Sequence, residues 1–218
     1  MVCLKRDITV KCLMVSRGTV RAVRLKTRGS GVAPDLRQPA TAPELLAAAR
    51  RRFLRAERFS VEDLAAELGI SRATAYRWAG NAEQVAGHVV ASLAEDTFRR
   101  AVREARGRGA TRVVDVIARG MRYIATSEPY RAFVERDPQR ALRIVASKDG
   151  PVQRRTIALH EELLEEEVRR GALRLPVDAH TMAYALVRVV ESFLYADAVA
   201  GEQVDLEKAV AILKLMLR

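Results

Sequence analysis

The sequence predicts an all-α protein, and three observations support that prediction. Beyond residue 40, apolar residues recur at the three- and four-residue spacing of a helix face. Capping residues and prolines stand where these runs begin. No segment shows a convincing strand pattern, and an aromatic content of only 5% suits helices packed with Ala, Leu and Val. The 218 residues are enough for one large domain or two small ones.

The first 40 residues differ from the rest in their charge. They hold nine of the 38 Lys and Arg residues but two of the 27 acidic residues, and they lack a clear helical period. One interpretation is a basic arm that adds phosphate contacts to DNA. The other, which we favour, is that translation begins further down, at Met14 or at a codon such as that of Val32. We therefore expect residues 1–40 to be a basic, disordered extension.

Composition narrows the class of protein. The formal net charge of +11 favours a polyanionic partner, and nucleic acid fits better than a membrane surface. Cys3 and Cys12 are too few and too isolated for a disulfide framework or a zinc site. No apolar run approaches a membrane span, and the N-terminus lacks a secretory signal pattern. We expect a soluble cytoplasmic protein with no membrane partner.

The first helix has a strong start at Thr41. Thr41 is the N-cap, Pro43 lies in the first turn, and Glu44 completes a capping box with Thr41. Its arginines are expected on a solvated or phosphate-facing surface, and they are Arg50, Arg51, Arg52 and Arg55. Its apolar residues end near Phe59, and they are Leu45, Leu46, Ala49, Phe53 and Leu54.

Residues 60–78, SVEDLAAELGISRATAYRW, predict two short helices joined by a tight turn. Ser60 and Asp63 form a capping box for the first of them. Gly69 stands where a helix ends in the left-handed conformation, and Ser71 can cap the second helix. An ordinary helical hairpin with a solvated basic face would look similar. We interpret the stretch as a helix-turn-helix.

The second helix of this motif has an inward face and an outward face. Its outward Arg, Thr and Tyr side chains suit a DNA major groove, whereas Ala75, Trp78 and Ala79 share the inward face. Arginine can bind guanine edges, and threonine or tyrosine can bind phosphate. The predicted DNA-binding residues are Ser60, Ser71, Arg72, Ala73, Thr74, Tyr76, Arg77 and Trp78.

Seven further helical segments are expected beyond Gly80. A long helix runs from about Ala82 to Arg106, and Gly107 and Gly109 then make a flexible joint. The later segments are 111–127, the piece between Pro129 and Pro138, 141–146, 151–170, about 178–200, and an amphipathic helix capped by Asp205. The buried stripe of the long helix comprises Val85, Val89, Leu93, Phe98 and Val102, and the last helix turns Leu206, Val210, Leu213 and Leu217 inward.

The motif resembles the DNA-binding domain of TetR-type repressors. The residues that carry the resemblance are Phe53, Ser60 to Ala65, Leu68 to Ser71, Ala73 to Trp78, and Gly80. The resemblance implies a three-helix DNA-binding domain, at 41–82, followed by an all-helical effector and dimerisation domain, at 83–218. Two positions depart from the family pattern. Ala79 replaces a large aromatic residue, for which Trp78 can compensate, and Ala82 replaces a lysine that meets a phosphate.

A second stretch narrows the resemblance. Residues 185–201, ALVRVVESFLYADAVAG, together with Tyr76-Arg77-Trp78, look like the QsdR-type branch of the TetR superfamily. That branch implies a regulator of small-molecule signalling or catabolism. The resemblance carries no effector identity.

The sequence lacks the motifs of common enzyme sites. His160-Glu161 begins like a zinc-protease motif, but Leu164 stands where the second histidine is needed. No dinucleotide loop, nucleophile elbow or phosphate-loop lysine is present. The acidic run at 161–167 is expected to be a solvated helix face rather than a metal site. We therefore expect no enzyme activity, cofactor or metal.

One stripe of a C-terminal helix suggests an effector pocket. Tyr184, Arg188, Glu191 and Tyr195 are spaced by four, three and four residues, so they share a face and could orient a polar ligand group. An internal Arg188–Glu191 ion pair or a subunit contact would explain the same spacing. The apolar candidates, which ordinary core packing would also explain, are Met121, Tyr123, Phe133 and Phe193.

These features predict a homodimeric, ligand-responsive repressor that binds a palindromic DNA operator and an unknown small-molecule effector. Dimer contacts are expected from 176–200, 205–218 and part of 151–170. One alternative is an architectural protein that binds any DNA through its basic arm, with a steep salt dependence. The other is a helical interaction protein that has no effector.

Overall fold

The computed structural model describes residues 40–195 and 205–218, and these two ranges contain ten α-helices and no strand. This confirms the predicted all-α class. No helix in the two ranges is long and apolar enough to cross a membrane. The expectations for residues 1–39 lie outside the described residues. The helices are α1 (Ala42–Leu54), α2 (Val61–Leu68), α3 (Arg72–Ala79), α4 (Ala82–Glu104), α5 (Gly109–Ala125), α6 (Glu128–Arg136), α7 (Pro138–Ala146), α8 (Pro151–Arg169), α9 (Ala179–Leu194) and α10 (Leu206–Met216).

The first helices begin where the capping residues predicted. Thr41 and Ser60 each form a capping box, with Glu44 and Asp63 respectively. The Oγ of Ser71 accepts a hydrogen bond of 3.1 Å from the backbone N–H of Thr74, and this contact caps the start of α3. Each such cap contributes about 1 kcal/mol, because it satisfies backbone donors that have no partner inside the helix.

Several predicted helix ends were wrong. The first helix ends at Leu54 rather than near Phe59, because Ala56 turns the chain with a φ of 54°. The long helix ends at Glu104, two residues early, and the helix expected to reach residue 200 ends at Leu194. The helix expected at 141–146 begins already at Pro138, which occupies its first turn.

Two buried clusters hold the helices together, and α4 belongs to both. The first cluster joins α1, α2 and α3 to the N-terminal half of α4, and it includes Leu45, Phe53, Leu64, Ala75, Val85 and Val89. The second joins the C-terminal half of α4 to α5, α8, α9 and α10, and it includes Val113, Ile117, Met121, Leu164, Leu186 and Leu213. Burial of each large side chain stabilises the fold by about 1.5–3 kcal/mol. The long helix therefore connects the helix-turn-helix to the rest of the protein.

The acidic run at 161–167 was expected to be a solvated helix face, and this prediction is wrong for one of its residues. Glu167 is only 1% exposed. It accepts the backbone N–H of Gly109 at 2.6 Å, and it pairs with Arg112 at 2.7 Å and with Arg170 at 3.1 Å. The neighbouring Val168 is exposed.

Gly107 and Gly109 were predicted to form a flexible joint, and the structure contradicts this prediction at Gly109. Gly109 is buried and begins α5. Its φ of 56° favours glycine, and any side chain there would collide with the carbonyl oxygen of Ala172. This glycine therefore anchors α5 against the end of α8 and is not a flexible link.

Candidate functional site

The outward face of α3 carries two exposed arginines. Arg72 and Arg77 form no ion pair with any described residue, and Ala73 and Tyr76 are exposed beside them. Ala75, on the inward face of α3, is fully buried. This leaves the two guanidinium groups available to an external acceptor, as a DNA-reading helix requires.

The other predicted DNA-binding residues have structural partners. Ser60 and Ser71 cap α2 and α3, and the hydroxyl of Ser71 lies 2.9 Å from that of Thr74. Trp78 is half-buried and packs against the first core cluster, so it anchors α3 from the inward face. Five of the eight predicted residues are exposed: Ser71, Arg72, Ala73, Tyr76 and Arg77.

The hydroxyl of Tyr76 already has a partner in the protein. It donates a hydrogen bond of 2.7 Å to Oε1 of Glu62 on α2. This bond holds the pKa of Glu62 below its usual range and raises the pKa of Tyr76. Spacing along the chain could not indicate this pair, because the two residues lie on different helices.

The arginines of α1 bind neighbouring helices. Arg51 and Arg52 both pair with Glu67 of α2 at 3.0 Å. Arg50 donates to the hydroxyl of Ser92 at 2.8 Å and pairs with Asp96 at 2.5 Å, both on α4. These contacts link α1 to α2 and α4.

A cavity of about 320 Å³ lies among α1, α4, α5, α8 and α9, beside α6 and α7. Its volume falls within the range of small-molecule sites in proteins. Its walls are mainly apolar and include Phe53, Leu54, Leu93, Phe98, Val116, Ile117, Gly120, Met121, Leu159, Val187 and Leu194.

A few polar groups interrupt these apolar walls. Nδ1 of His160 lies 2.7 Å from the carbonyl oxygen of Thr156, and the His160 ring packs 4.9 Å from that of Phe98. Burial lowers the pKa of His160, which keeps the imidazole neutral. Burial also raises the pKa of Tyr130 to about 12 and that of Tyr195 well above its usual value.

Glu191 is the acidic group of the wall. Its Oε2 pairs with Arg188 at 2.9 Å, and Nε2 of Gln153 donates to its Oε1. Burial raises the pKa of Glu191 against the effect of Arg188. The Oε1 of Gln153 is buried and has no hydrogen-bond partner among the described residues.

The structure brings some of the predicted effector residues together at this cavity and leaves others outside. Met121, Tyr123, Glu191 and Tyr195 line it. Phe133, Tyr184 and Arg188 do not line it: Phe133 packs 5.3 Å from Phe53, and Arg188 lies over the ring of Tyr184. Phe193 packs against the second core cluster.

Sequence reasoning missed the wall residues Thr156, Gly120 and His160. His160 had been considered only as a zinc ligand. The available signal was a single histidine on the apolar face of α8, beside Leu159, Leu163 and Leu164. A lone polar group on a buried face needs a partner, and a cavity can supply one.

Comparisons with known proteins agree with this arrangement. Residues 108–218 match the family model described as tetracyclin repressor-like, C-terminal domain. The transcriptional repressor QsdR of R. erythropolis, from the TetR family, is 30% identical, with 81% of this chain and 93% of that chain covered at a TM-score of 0.78. The TetR-family repressor AlkX of Dietzia sp., implicated in the biodegradation of n-alkanes, is 20% identical, with coverages of 82% and 94% and a TM-score of 0.55. Among curated proteins no sequence matches the chain.

The family model covers the C-terminal half of the chain. The helix-turn-helix and the connecting α4 lie N-terminal to that match. The likeness to QsdR extends over most of both chains. The chain therefore belongs to the TetR family of transcriptional repressors.

Proposed function

We propose that this protein is a homodimeric, ligand-responsive repressor that binds a palindromic operator. The observation that carries the proposal is that Arg72 and Arg77 are exposed on α3 and have no ion-pair partner in 40–195 or 205–218, on a capped helix-turn-helix. In this proposal residues 41–82 form the DNA-binding domain, and residues 83–218 form the ligand-binding and dimerisation domain.

Arg77 is the residue we assign to base recognition. It lies in the last turn of α3, is exposed, and has no carboxylate partner among the described residues. A bidentate contact between arginine and guanine contributes about 1–3 kcal/mol of discrimination. A symmetric dimer would place two such helices one helical turn of DNA apart, which requires a palindromic site.

Exposed apolar side chains support a dimer contact on the C-terminal helices. Val168 on α8, Val177 before α9, Tyr184 on α9 and Leu215 on α10 are large and solvent-exposed in the single chain. Leu215 is 61% exposed. α9 packs against both α8 and α10, and exposed apolar groups on helices that pack together suit a surface that a second subunit covers.

The cavity is placed so that a ligand could change the position of the DNA-binding helices. Its walls include Phe53 and Leu54 of α1 and Leu93 and Phe98 of α4. On the side of α4 that faces α8, Glu95 pairs with Arg155 at 2.7 Å. A ligand that prefers one position of α1 and α4 shifts the equilibrium between binding and non-binding forms. Couplings of this kind are typically 1–3 kcal/mol.

The proposal is tested by selecting bound sequences from random duplex DNA, with the full chain and with a shorter chain that begins near Val32. A palindromic consensus with either chain supports the proposal. Binding without a consensus that disappears with the shorter chain contradicts it and favours the architectural alternative, in which the basic arm binds DNA.

A substitution then tests the role of α3. Arg77→Ala should weaken operator binding by about 1–3 kcal/mol per half-site and leave the oligomeric state unchanged. Arg174→Ala is the matched control, because Arg174 is exposed between α8 and α9 and away from α3. Fluorescence anisotropy with labelled operator measures both affinities. Equal affinities of the two variants would move recognition away from Arg77.

A further inference from the structure

We propose that the cavity selects an uncharged, largely apolar molecule that carries a hydroxyl or N–H group, which donates a hydrogen bond to Nε2 of His160. This inference deepens the proposed function and rests on it, because it names the chemical class of the effector. Three features of the cavity walls support it: their charge, the orientation of His160, and the vacant space at Gly120.

The described walls offer no free positive charge to an anionic ligand. Arg100 is the one cationic side chain among them. It pairs with Glu104 at 2.9 Å and lies 4.2 Å from the centre of the Tyr123 ring, on the solvent side. Glu191 adds an acidic group to the same walls. A carboxylate or phosphate would therefore lose its hydration without gaining an ionic partner.

His160 provides an acceptor that the protein itself does not use. Nδ1 of His160 faces the carbonyl oxygen of Thr156, so it carries the proton and donates to that oxygen. In the neutral ring Nε2 is then an acceptor, and no hydrogen bond joins it to any residue in 40–195 or 205–218. The residue is 7% exposed and lines the cavity. An acceptor without a protein partner at the wall of an apolar cavity gains from a ligand that donates to it.

Gly120 leaves a space beside the backbone of α5. It lies in the middle of the helix and lines the cavity, and a Cβ at this position would meet no atom within 4 Å. Glycine in a helix interior is about 1 kcal/mol less stable than alanine. The backbone conformation does not require glycine here, so the structure assigns this position to contact with the body of the ligand.

Three probes of equal chain length test the inference: decanol, methyl decanoate and decanoate. Isothermal titration calorimetry at neutral pH measures their binding to the full chain. Decanol should bind best, and methyl decanoate, which accepts but cannot donate, should bind roughly three- to tenfold more weakly. Decanoate should bind at least roughly tenfold more weakly than decanol, because its charge has no partner.

Substitutions connect these differences to the two residues. His160→Phe keeps a ring beside Phe98 but removes the acceptor. The affinity for decanol should therefore fall to the affinity for methyl decanoate. His88→Phe, at an exposed position of α4, is the matched control and should leave all three affinities unchanged. Gly120→Leu should weaken every probe by filling the space, while its melting temperature shows that the chain still folds.

Four outcomes would overturn the inference: decanoate binding best, equal binding of the alcohol and the ester, a difference that survives in His160→Phe, or no binding of any probe. The selection of bound sequences from random duplex DNA separates these outcomes from a failure of the proposed function. A chain that binds a palindrome but fails the probe test remains a repressor with a different ligand. A chain that selects no DNA sequence contradicts the proposed function, whichever probes bind.

Discussion

Replacement of Glu167 by glutamine tests the buried ion pair between α5 and α8. The carboxylate of Glu167 is 1% exposed and is held by the Gly109 N–H, Arg112 and Arg170. Burial raises its pKa, but these partners outweigh burial and hold the pKa below its usual range. The glutamine variant keeps the shape of the side chain and leaves the Arg112 guanidinium without its closest anion.

The size of the effect follows from these contacts. Removing one partner of a buried ion pair costs about 3–5 kcal/mol, since the other charge stays buried. Arg112 retains Glu166 at 3.3 Å, so we expect the lower end, about 3 kcal/mol. For a protein of this size that corresponds to a decrease of about 6–12 °C in the melting temperature.

Thermal unfolding followed by circular dichroism at neutral pH measures this decrease. Glu165→Gln is the control, because Glu165 pairs with Arg169 on the exposed surface of α8, where such pairs contribute about 0–1 kcal/mol. If both variants melt together with the parent protein, Glu167 does not join α5 to α8 and the reasoning is refuted.

Two further predictions concern the backbone and acid stability. Gly69→Ala should lower the unfolding free energy by about 1–2 kcal/mol, because Gly69 ends α2 with a φ of 65°; Gly120→Ala should raise it by about 0.5–1 kcal/mol, since that helical position has open space. If both melting temperatures fall, the Gly120 assignment is contradicted; if both rise, the Gly69 assignment is contradicted. The hydrogen bonds from Arg155 hold the pKa of Glu95 at about 2. A depressed carboxylate pKa stabilises the fold above the unfolded-state pKa, so the difference in stability between the parent and Glu95→Gln should be full above about pH 5 and shrink toward pH 2. A difference that stays constant over this range would show that the Glu95 carboxylate has no depressed pKa.

The local structure of the helix-turn-helix could be predicted from the sequence. Ser60, Asp63, Gly69 and Ser71 act on backbone groups within three or four residues, so their positions along the chain are sufficient to place the helix ends. The same reasoning failed after Leu54 and after Leu194, where α1 and α9 end although the apolar pattern in the sequence continues. Helix ends depend on backbone turns as well as on apolar spacing.

The candidate ligand site could be predicted only in part. The four-residue spacing of Glu191 and Tyr195 predicted a common face, and both residues line the cavity. Spacing on one helix could not separate them from Tyr184 and Arg188, which lie outside it. It also gave no reason to join His160 on α8 with Phe98 on α4.

The sequence by itself determined the all-α class, the helix-turn-helix and the exposed face of α3, because these depend on contacts between residues a few positions apart. Only the tertiary structure decided that Glu167 is buried, that Tyr76 binds Glu62, and that His160 and Gly120 face a common cavity. These features depend on how α4, α5, α8 and α9 pack together. Packing brings together residues that are far apart in sequence, and a helical repeat shows which face is buried but not which neighbour it meets.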